Sequence, residues 1–219
     1  MLVLALDAST YAGSCALVRG GSVLAERVVA MRGEREERLM PAVAELLAGA
    51  GASVADLEGV ACGGGPGSFT SLRVAASIAK GITVARSIPL FAAPSPLLVV
   101  AGAEPSPPEG SYMVLLDAMR GDVFGLSLRV DARGDLRDVG AASLLRRAEA
   151  LARAAREQAT VVGPGEARAL APHARGFARL LVQGLAREAD VALWEPDYGR
   201  KAEAQVRWEQ AHGRPLEVR

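Results

Sequence analysis

The chain has 219 residues, half of them apolar, with 25 basic and 25 acidic residues and a formal net charge of +0. That length suits one large domain or two lobes of about 100 residues each. The charge balance leaves no whole-chain footprint for nucleic acid, no run reaches the roughly 18 apolar residues of a membrane span, and Met1 leads into strand residues without a basic leader, so a cytoplasmic protein is expected.

Leu2 to Leu6 is a continuous apolar run, as in a strand covered on both faces, and it ends in the polar turn Asp7-Ala8-Ser9-Thr10. Gly13 to Val18 and Val23 to Val29 flank Arg19-Gly20-Gly21-Ser22, a hairpin signal. Glu34 to Ala50 reads as a helix with the apolar stripe Leu39, Val43, Leu46 and Ala50, widened by Met40, Ala44 and Leu47. Pro41 fits only a first turn, which moves the start toward Leu39 and leaves Glu34 to Arg38 as a solvated lead-in. The two cysteines, Cys15 and Cys62, lie in strand-like runs and read as reduced core residues.

The stretch Gly63-Gly64-Gly65-Pro66-Gly67-Ser68-Phe69-Thr70-Ser71-Leu72-Arg73 follows the apolar run Val60-Ala61-Cys62 and precedes a Pro-free helical segment from Leu72 to Arg86. Strand, Gly-rich turn and helix start is the geometry that aims backbone N–H groups at an anion. The glycines are expected to supply positive φ, and Ser68 or Thr70 to cap the helix. A tight turn with no ligand fits the same residues. Pro89 to Ala92 then reads as a strand and Pro94 to Ala101 as a helix. Gly102 to Gly110, rich in Pro and Gly, is the candidate boundary between residues 1–103 and 104–219.

Beyond it the first half is echoed. Val114-Leu115-Leu116-Asp117-Ala118 answers Leu4-Ala5-Leu6-Asp7-Ala8, Val123 to Val130 and Leu136 to Val139 follow as strands, and Leu144 to Arg156 as a helix. Thr160 to Val162 leads into Gly163-Pro164-Gly165, which answers Gly65-Pro66-Gly67. Two copies of this order imply a duplicated α/β protein. Gly176 to Leu193 reads as one or two helices. Lys201 to Gln210 is polar with Trp208, and the tail beyond His212 is expected to be loose.

Gly65-Pro66-Gly67-Ser68-Phe69-Thr70, with Leu72-Arg73 and the N-terminal Leu4 to Thr10, resembles the bacterial TsaB family of glycoprotease-like proteins, and Pro196-Asp197-Tyr198-Gly199-Arg200 resembles that family's late Pro-x-Tyr-x-Arg motif. The chain departs from the family pattern at Ser71 and Ala75, where glycine is usual. The resemblance implies an α/β fold of two duplicated actin-like lobes, each a mixed sheet with helices. It also implies a part in making threonylcarbamoyladenosine in tRNA: a non-catalytic scaffold that docks on a TsaD-like catalytic subunit, with a TsaE-like ATPase as third member. Contact with tRNA would come only through that complex, and the free chain could form a homodimer.

The residues leave two chemistries to weigh. For a nucleotide or anion site, Asp7 could hold Mg²⁺ through water, with Gly65, Gly67, Ser68 and Thr70 around the phosphates and Asp117 across the cleft. That arrangement would suit an ATP-dependent phosphotransferase. Alternatively both aspartates simply end strands and bond turn amides. No Lys or Arg stands inside either Gly turn, and no tightly bound cofactor is expected, ATP or ADP with Mg²⁺ at a partner interface being the remaining option. The only histidines, His173 and His212, have no ligand partner at helical spacing, which speaks against a metal or peptidase site. For partner binding, Leu72, Ala76, Ala79 and Thr83 of the second helix and Leu39, Met40 and Val43 of the first form the expected interface, because small residues let helices approach closely.

Overall fold

The computed structural model describes residues 1–31, 37–200, 208, 209 and 211–214. The first half runs β1 (Leu2–Asp7), β2 (Ala12–Arg19), β3 (Ser22–Ala30), α1 (Leu39–Gly49), a 3-10 turn at Val54–Asp56, β4 (Gly59–Gly63), α2 (Phe69–Arg86), β5 (Leu90–Ala93) and α3 (Ser95–Ala101). The second half runs β6 (Gly110–Asp117), β7 (Asp122–Val130), β8 (Leu136–Arg137), β9 (Ser143–Arg146), α4 (Arg147–Arg156), β10 (Thr160–Gly163), β11 (Arg168–Ala169), a 3-10 turn at Ala174–Gly176, α5 (Phe177–Val182) and β12 (Arg187–Ala189).

The two sheets repeat one plan. The first has strand order β12-β5-β4-β1-β2-β3 and the second β11-β10-β6-β7-β8, with β9 also on β7. In each, an antiparallel hairpin (β1–β2, β6–β7) is followed by a helix and a strand that returns parallel to the first (β4 on β1, β10 on β6). This is the duplicated α/β plan of two mixed sheets with helices expected from the echo. The second is the reduced copy: α2 separates β4 from β5, whereas β10 passes to the short β11 without a helix.

Several expected elements differ. Leu144 and Leu145 belong to strand β9, because that segment pairs with β7 from Asp122 to Gly125, and the helix starts only at Arg147. The second helix expected before Leu193 is instead β12, paired antiparallel with β5. The division expected after residue 103 falls between α3 and β6, yet β12 carries the chain back into the first sheet. As expected from Pro41, α1 begins at Leu39, with the Glu37 carboxylate accepting from the Leu39 and Met40 amides. The residues 34–36 of the expected lead-in lie outside the described residues, as do 201–207 and 215–219 of the tail.

Packing follows burial. One core cluster joins the lobes through α3, whose seven residues are all buried, with Val3 and Ala5 on one side and Tyr112, Val114 and Phe177 on the other. A second lies between the first sheet and helices α1 and α2, and a third, smaller one between the second sheet and α4. Cys15 and Cys62 are free and buried. Among the described residues, no helix is long and apolar enough to cross a membrane.

Candidate functional site: a Gly-rich loop at the interlobe cleft

The loop between β4 and α2 is held from three directions, and each contact needs a particular residue. From below, β1 ends in Asp7, fully buried, whose Oδ2 accepts from Ser95 Oγ at 2.6 Å and whose Oδ1 accepts from the Ser9 amide at 3.1 Å and from Ser9 Oγ at 2.8 Å. A Cβ on Gly63 would stand 1.9 Å from that carboxylate, so glycine is what admits Asp7 under the strand end. From the side, the end of β5 and the start of α3 clamp the loop: Gly65 N donates to Ser95 Oγ at 3.0 Å, Ser95 N to Gly65 O at 2.8 Å, and Gly64 N to Ala93 O at 2.8 Å. From above, Asp197 N donates to Gly64 O at 2.8 Å, and Ser68 N to Ser9 O at 2.8 Å.

Burial and bonding act against each other on Asp7. Desolvation raises its pKa, and the Ser95 hydroxyl and the Ser9 amide and hydroxyl oppose that rise. Cys62 next to it is pushed up by its own burial first and by the Asp7 charge second, so this thiol is not an activated nucleophile. Burial likewise lifts Cys15 to about 11. His173 is lowered to about 4, by burial and then by Arg175, and its Nδ1 accepts from the Arg175 amide at 3.1 Å as a helix cap.

The loop departs from two expectations. Positive φ occurs at Gly65 (+79°) but not at Gly67, where glycine is required for a different reason: a Cβ there would lie 2.1 Å from the Ser9 carbonyl oxygen. The helix starts at Phe69, three residues before the expected Leu72, with Ser68 at its N-cap position making no side-chain cap bond; Ser68 Oγ instead lies 3.0 Å from Ser71 Oγ. The Gly65-Pro66 peptide is cis.

Between the lobes this loop faces the β6–β7 turn and Gly163-Pro164-Gly165 across a cavity of about 540 Å³. Of the residues expected at a nucleotide site, Gly67, Ser68 and Asp117 line the cavity. Asp7 and Gly65 are buried beneath it, and Thr70 faces a separate groove on the outside of α2. The two guanidiniums that line the cavity among the described residues are both engaged. Arg147 Nη2 sits 2.7 and 2.9 Å from the two carboxylate oxygens of Glu166, and Arg200 Nη2 sits 2.6 Å from Asp122 Oδ2.

The segment from Pro196 to Arg200 ties the lobes together, a role not expected from the sequence. Tyr198 packs on Phe69 with ring centroids 4.6 Å apart, and the Arg73 guanidinium lies 4.3 Å from the Phe69 centroid. Gly199 (φ +67°) lets the chain pass close to Phe124 and Pro66, where a Cβ would approach to 2.3 and 2.8 Å. Arg200 then reaches Asp122 of the second lobe. The only sequence signal was the local spacing of Pro196, Tyr198 and Arg200.

The expected partner face needs a correction. Leu39, Val43, Leu72 and Ala79 are 0% exposed, Thr83 4% and Ala76 6%, because α1 packs on β2 and β3 and this side of α2 packs on β4 and β1. Only Met40, at 40%, is open. The outward face of α2 is the next stripe round the helix: Phe69, Arg73, Ser77, Gly81 and Val84, all exposed. A shallow groove runs along it between Glu37 and Ile78.

The family model described as "TsaD: tRNA N6-adenosine threonylcarbamoyltransferase" matches residues 29–163. The chain is 31% identical over 134 residues to the tRNA threonylcarbamoyladenosine biosynthesis protein TsaB of Escherichia coli K12, covering 61% of this chain and 58% of that protein. It is 33% identical over 124 residues to the TsaB protein of Bacillus subtilis 168, covering 57% and 53%. The match thus spans about half the length of these curated relatives. Among solved structures, a Pseudomonas aeruginosa protein described as similar to peptidase YeaZ superposes with a TM-score of 0.74 at 22% identity, covering 91% of this chain and 99% of that one. P. aeruginosa YeaZ superposes at 0.71 with 23% identity, covering 90% and 100%. At that identity, the likeness establishes the shared fold.

Proposed function

The chain belongs to the family described as tRNA N6-adenosine threonylcarbamoyltransferase (TsaD), as a TsaB-like member, and on that premise we propose that it serves the formation of N6-threonylcarbamoyladenosine in tRNA as a non-catalytic subunit docked on a TsaD-like catalytic chain. The observation that carries the docking reading is the outward stripe of α2. Phe69 at 42% and Val84 at 66% exposure, with Met40 of α1, leave large apolar side chains open beside Ser77 and Gly81, whose small size allows close helix approach. The scaffold reading is further supported by the state of the loop. Asp7 is buried with both oxygens bonded inside the chain, and the amides of Gly64, Gly65 and Ser68 donate to protein acceptors.

In this reading a TsaE-like ATPase completes the assembly in the cytoplasm, and tRNA is met only through the complex. ATP or ADP with Mg²⁺, where it takes part, sits at the interface with a partner. The free chain pairs with a second copy through the same α2 face. The test is co-elution of the purified chain with a TsaD-like protein on a sizing column. Ser77→Arg places a charged side chain on the exposed stripe, so the variant should melt like the parent and fail to co-elute. Co-elution unchanged in Ser77→Arg would remove this face as the docking surface.

A further inference from the structure

We propose that the segment from Pro196 to Arg200 is a releasable latch that holds the interlobe cleft closed, with the bond from Arg200 to Asp122 as the part that lets go and Gly199 as the pivot. The lobes are joined in two ways. One is the buried apolar core around α3, backed by the 2.9 Å bond from Ala174 N to Ser14 Oγ. The other lies at the cleft itself, whose walls include Tyr198 and Arg200. The chain reaches the latch from the first sheet, where β12 pairs with β5. It is fixed to that lobe by Asp197 N on Gly64 O at 2.8 Å, by the Tyr198 ring on Phe69, and by Arg73 Nε on Tyr198 Oη at 3.4 Å. Past Tyr198 the contacts change lobe. Gly199 passes against Phe124, and Arg200 Nη2 donates to Asp122 Oδ2 at 2.6 Å and to Met119 O at 3.3 Å.

The charges make the second anchor reversible. Asp122 is shared, because Arg146 Nη1 of the same lobe lies 3.2 Å from its Oδ1. When Arg200 withdraws, Asp122 keeps a cation, and no unpaired charge is left in the half-buried site. The Arg200 side chain is already 33% exposed, so water replaces its partners at little cost. The first anchor uses none of these groups, and a single residue, Gly199 with φ +67°, separates the two. A further contact across the cleft, Tyr11 Oη on Met119 Sδ at 3.5 Å, ends on a thioether, which is a weak acceptor. Release of Arg200 therefore takes away a wall of the cavity while the core around α3 stays packed. Tyr198 rests on Phe69 and Arg73, two residues of the outward face of α2, so the latch joins that face to the cleft. It is a property of the free chain and stands or falls separately from the docking reading.

The experiment measures how fast a thiol inside the cleft reacts with fluorescein maleimide, a reagent too bulky for the closed cavity. Ala118→Cys places the thiol at a cleft-lining position only 4% exposed, and Leu116→Cys, at 1%, is a second reporter. The natural Cys15 and Cys62, both buried, report unfolding of the whole chain in the same sample. Arg200→Met removes the releasable bond and Tyr198→Ala the contact with α2. Arg147→Met is the control, since it breaks the pair with Glu166, which also lines the cleft but lies wholly within the second lobe. Each latch variant is expected to raise the rate at the reporter thiol by about fivefold or more, as the open fraction grows, with Cys15 and Cys62 unchanged and Arg147→Met at the parent rate. The parent rate in Arg200→Met or in Tyr198→Ala would overturn the latch. So would an equal rise in Arg147→Met, or a rise matched at Cys15 and Cys62, which would report general loosening in place of an opening cleft.

Discussion

Alanine at Gly67 probes the closest approach in the molecule between the Gly-rich loop and the β1–β2 turn. The new Cβ would stand 2.1 Å from Ser9 O and 2.8 Å from the Ser9 carbonyl carbon. Both are backbone atoms, and an ordinary contact is more than 3 Å, so one segment must move by about 1 Å or more. That movement opens the 2.8 Å bond from Ser68 N to Ser9 O, which ties the start of α2 to β1. Overpacking of this kind costs about 1–3 kcal/mol and the lost hydrogen bond about 1 kcal/mol, while alanine's stiffer unfolded chain returns about 0.4–1 kcal/mol. The net expectation is a loss of about 2–3 kcal/mol, or a fall in Tm of about 4–12 °C for a chain of this length. The control is Gly165→Ala, the matching glycine of the second Gly-Pro-Gly, where a Cβ meets nothing within 4 Å and φ is not positive. It should stay within about 1 °C to 3 °C of the parent. Thermal unfolding followed by circular dichroism on both variants reads the difference. Equal melting temperatures, or a larger fall for Gly165→Ala, would refute the argument that close packing is what Gly67 provides.

Three further outcomes follow from burial. Ala79→Arg puts a charge at a fully buried position against β4 and should cost several kcal/mol, unfolding the chain, whereas Ser77→Arg two residues earlier should leave Tm unchanged; a folded Ala79→Arg protein would return this residue to the surface. For Asp7, the folded pKa is raised above 3.8, so the native state holds its proton longer and stability falls as pH rises from about 4 through the raised value, by up to about 1.4 kcal/mol per pH unit. Asp7→Asn should flatten that fall in a Tm-against-pH series, and parallel curves for the two proteins would contradict it. His173 has the opposite sign: its folded pKa of about 4 against 6.5 contributes stability above pH 6.5 that is lost as pH drops toward 4, at most about 3 kcal/mol and less once solvent screening is counted. His173→Asn, which keeps an acceptor for the Arg175 amide, should remove this acid limb, and an unaltered limb would assign it to other groups.

The order of strands and helices in the first half was legible because its signals are local. Hydrophobic runs at Leu2 to Leu6 and Val60 to Cys62, the Gly20-Gly21 hairpin and Pro41 near a helix start each constrain a few neighbouring residues. The duplication was legible for the same reason, as a repeated word ending in Asp7 and again in Asp117. Segments whose state depends on a distant strand were not. Leu144 and Leu145 fit a helical stripe by spacing, and β12 lies in a stretch that reads as helix, yet β7 and β5 offer these segments open edges, and pairing prevails over weak local preference. The candidate site divides the same way. The sequence by itself marked the Gly-rich loop, Asp7 and the Pro196–Arg200 motif as unusual. Only the tertiary structure decided that Asp7 lies beneath the loop, that Tyr198 reaches Phe69 at its far end from more than a hundred residues away, and that Arg200 reaches Asp122 of the second lobe. It also decided which side of α2 is open, because Ala76 and Ala79 are as small and apolar as an interface requires but the sheet already covers them. A helix that is apolar on several faces does not encode which one its own chain will bury; that is set by where β1 and β4 stand when the sheet closes.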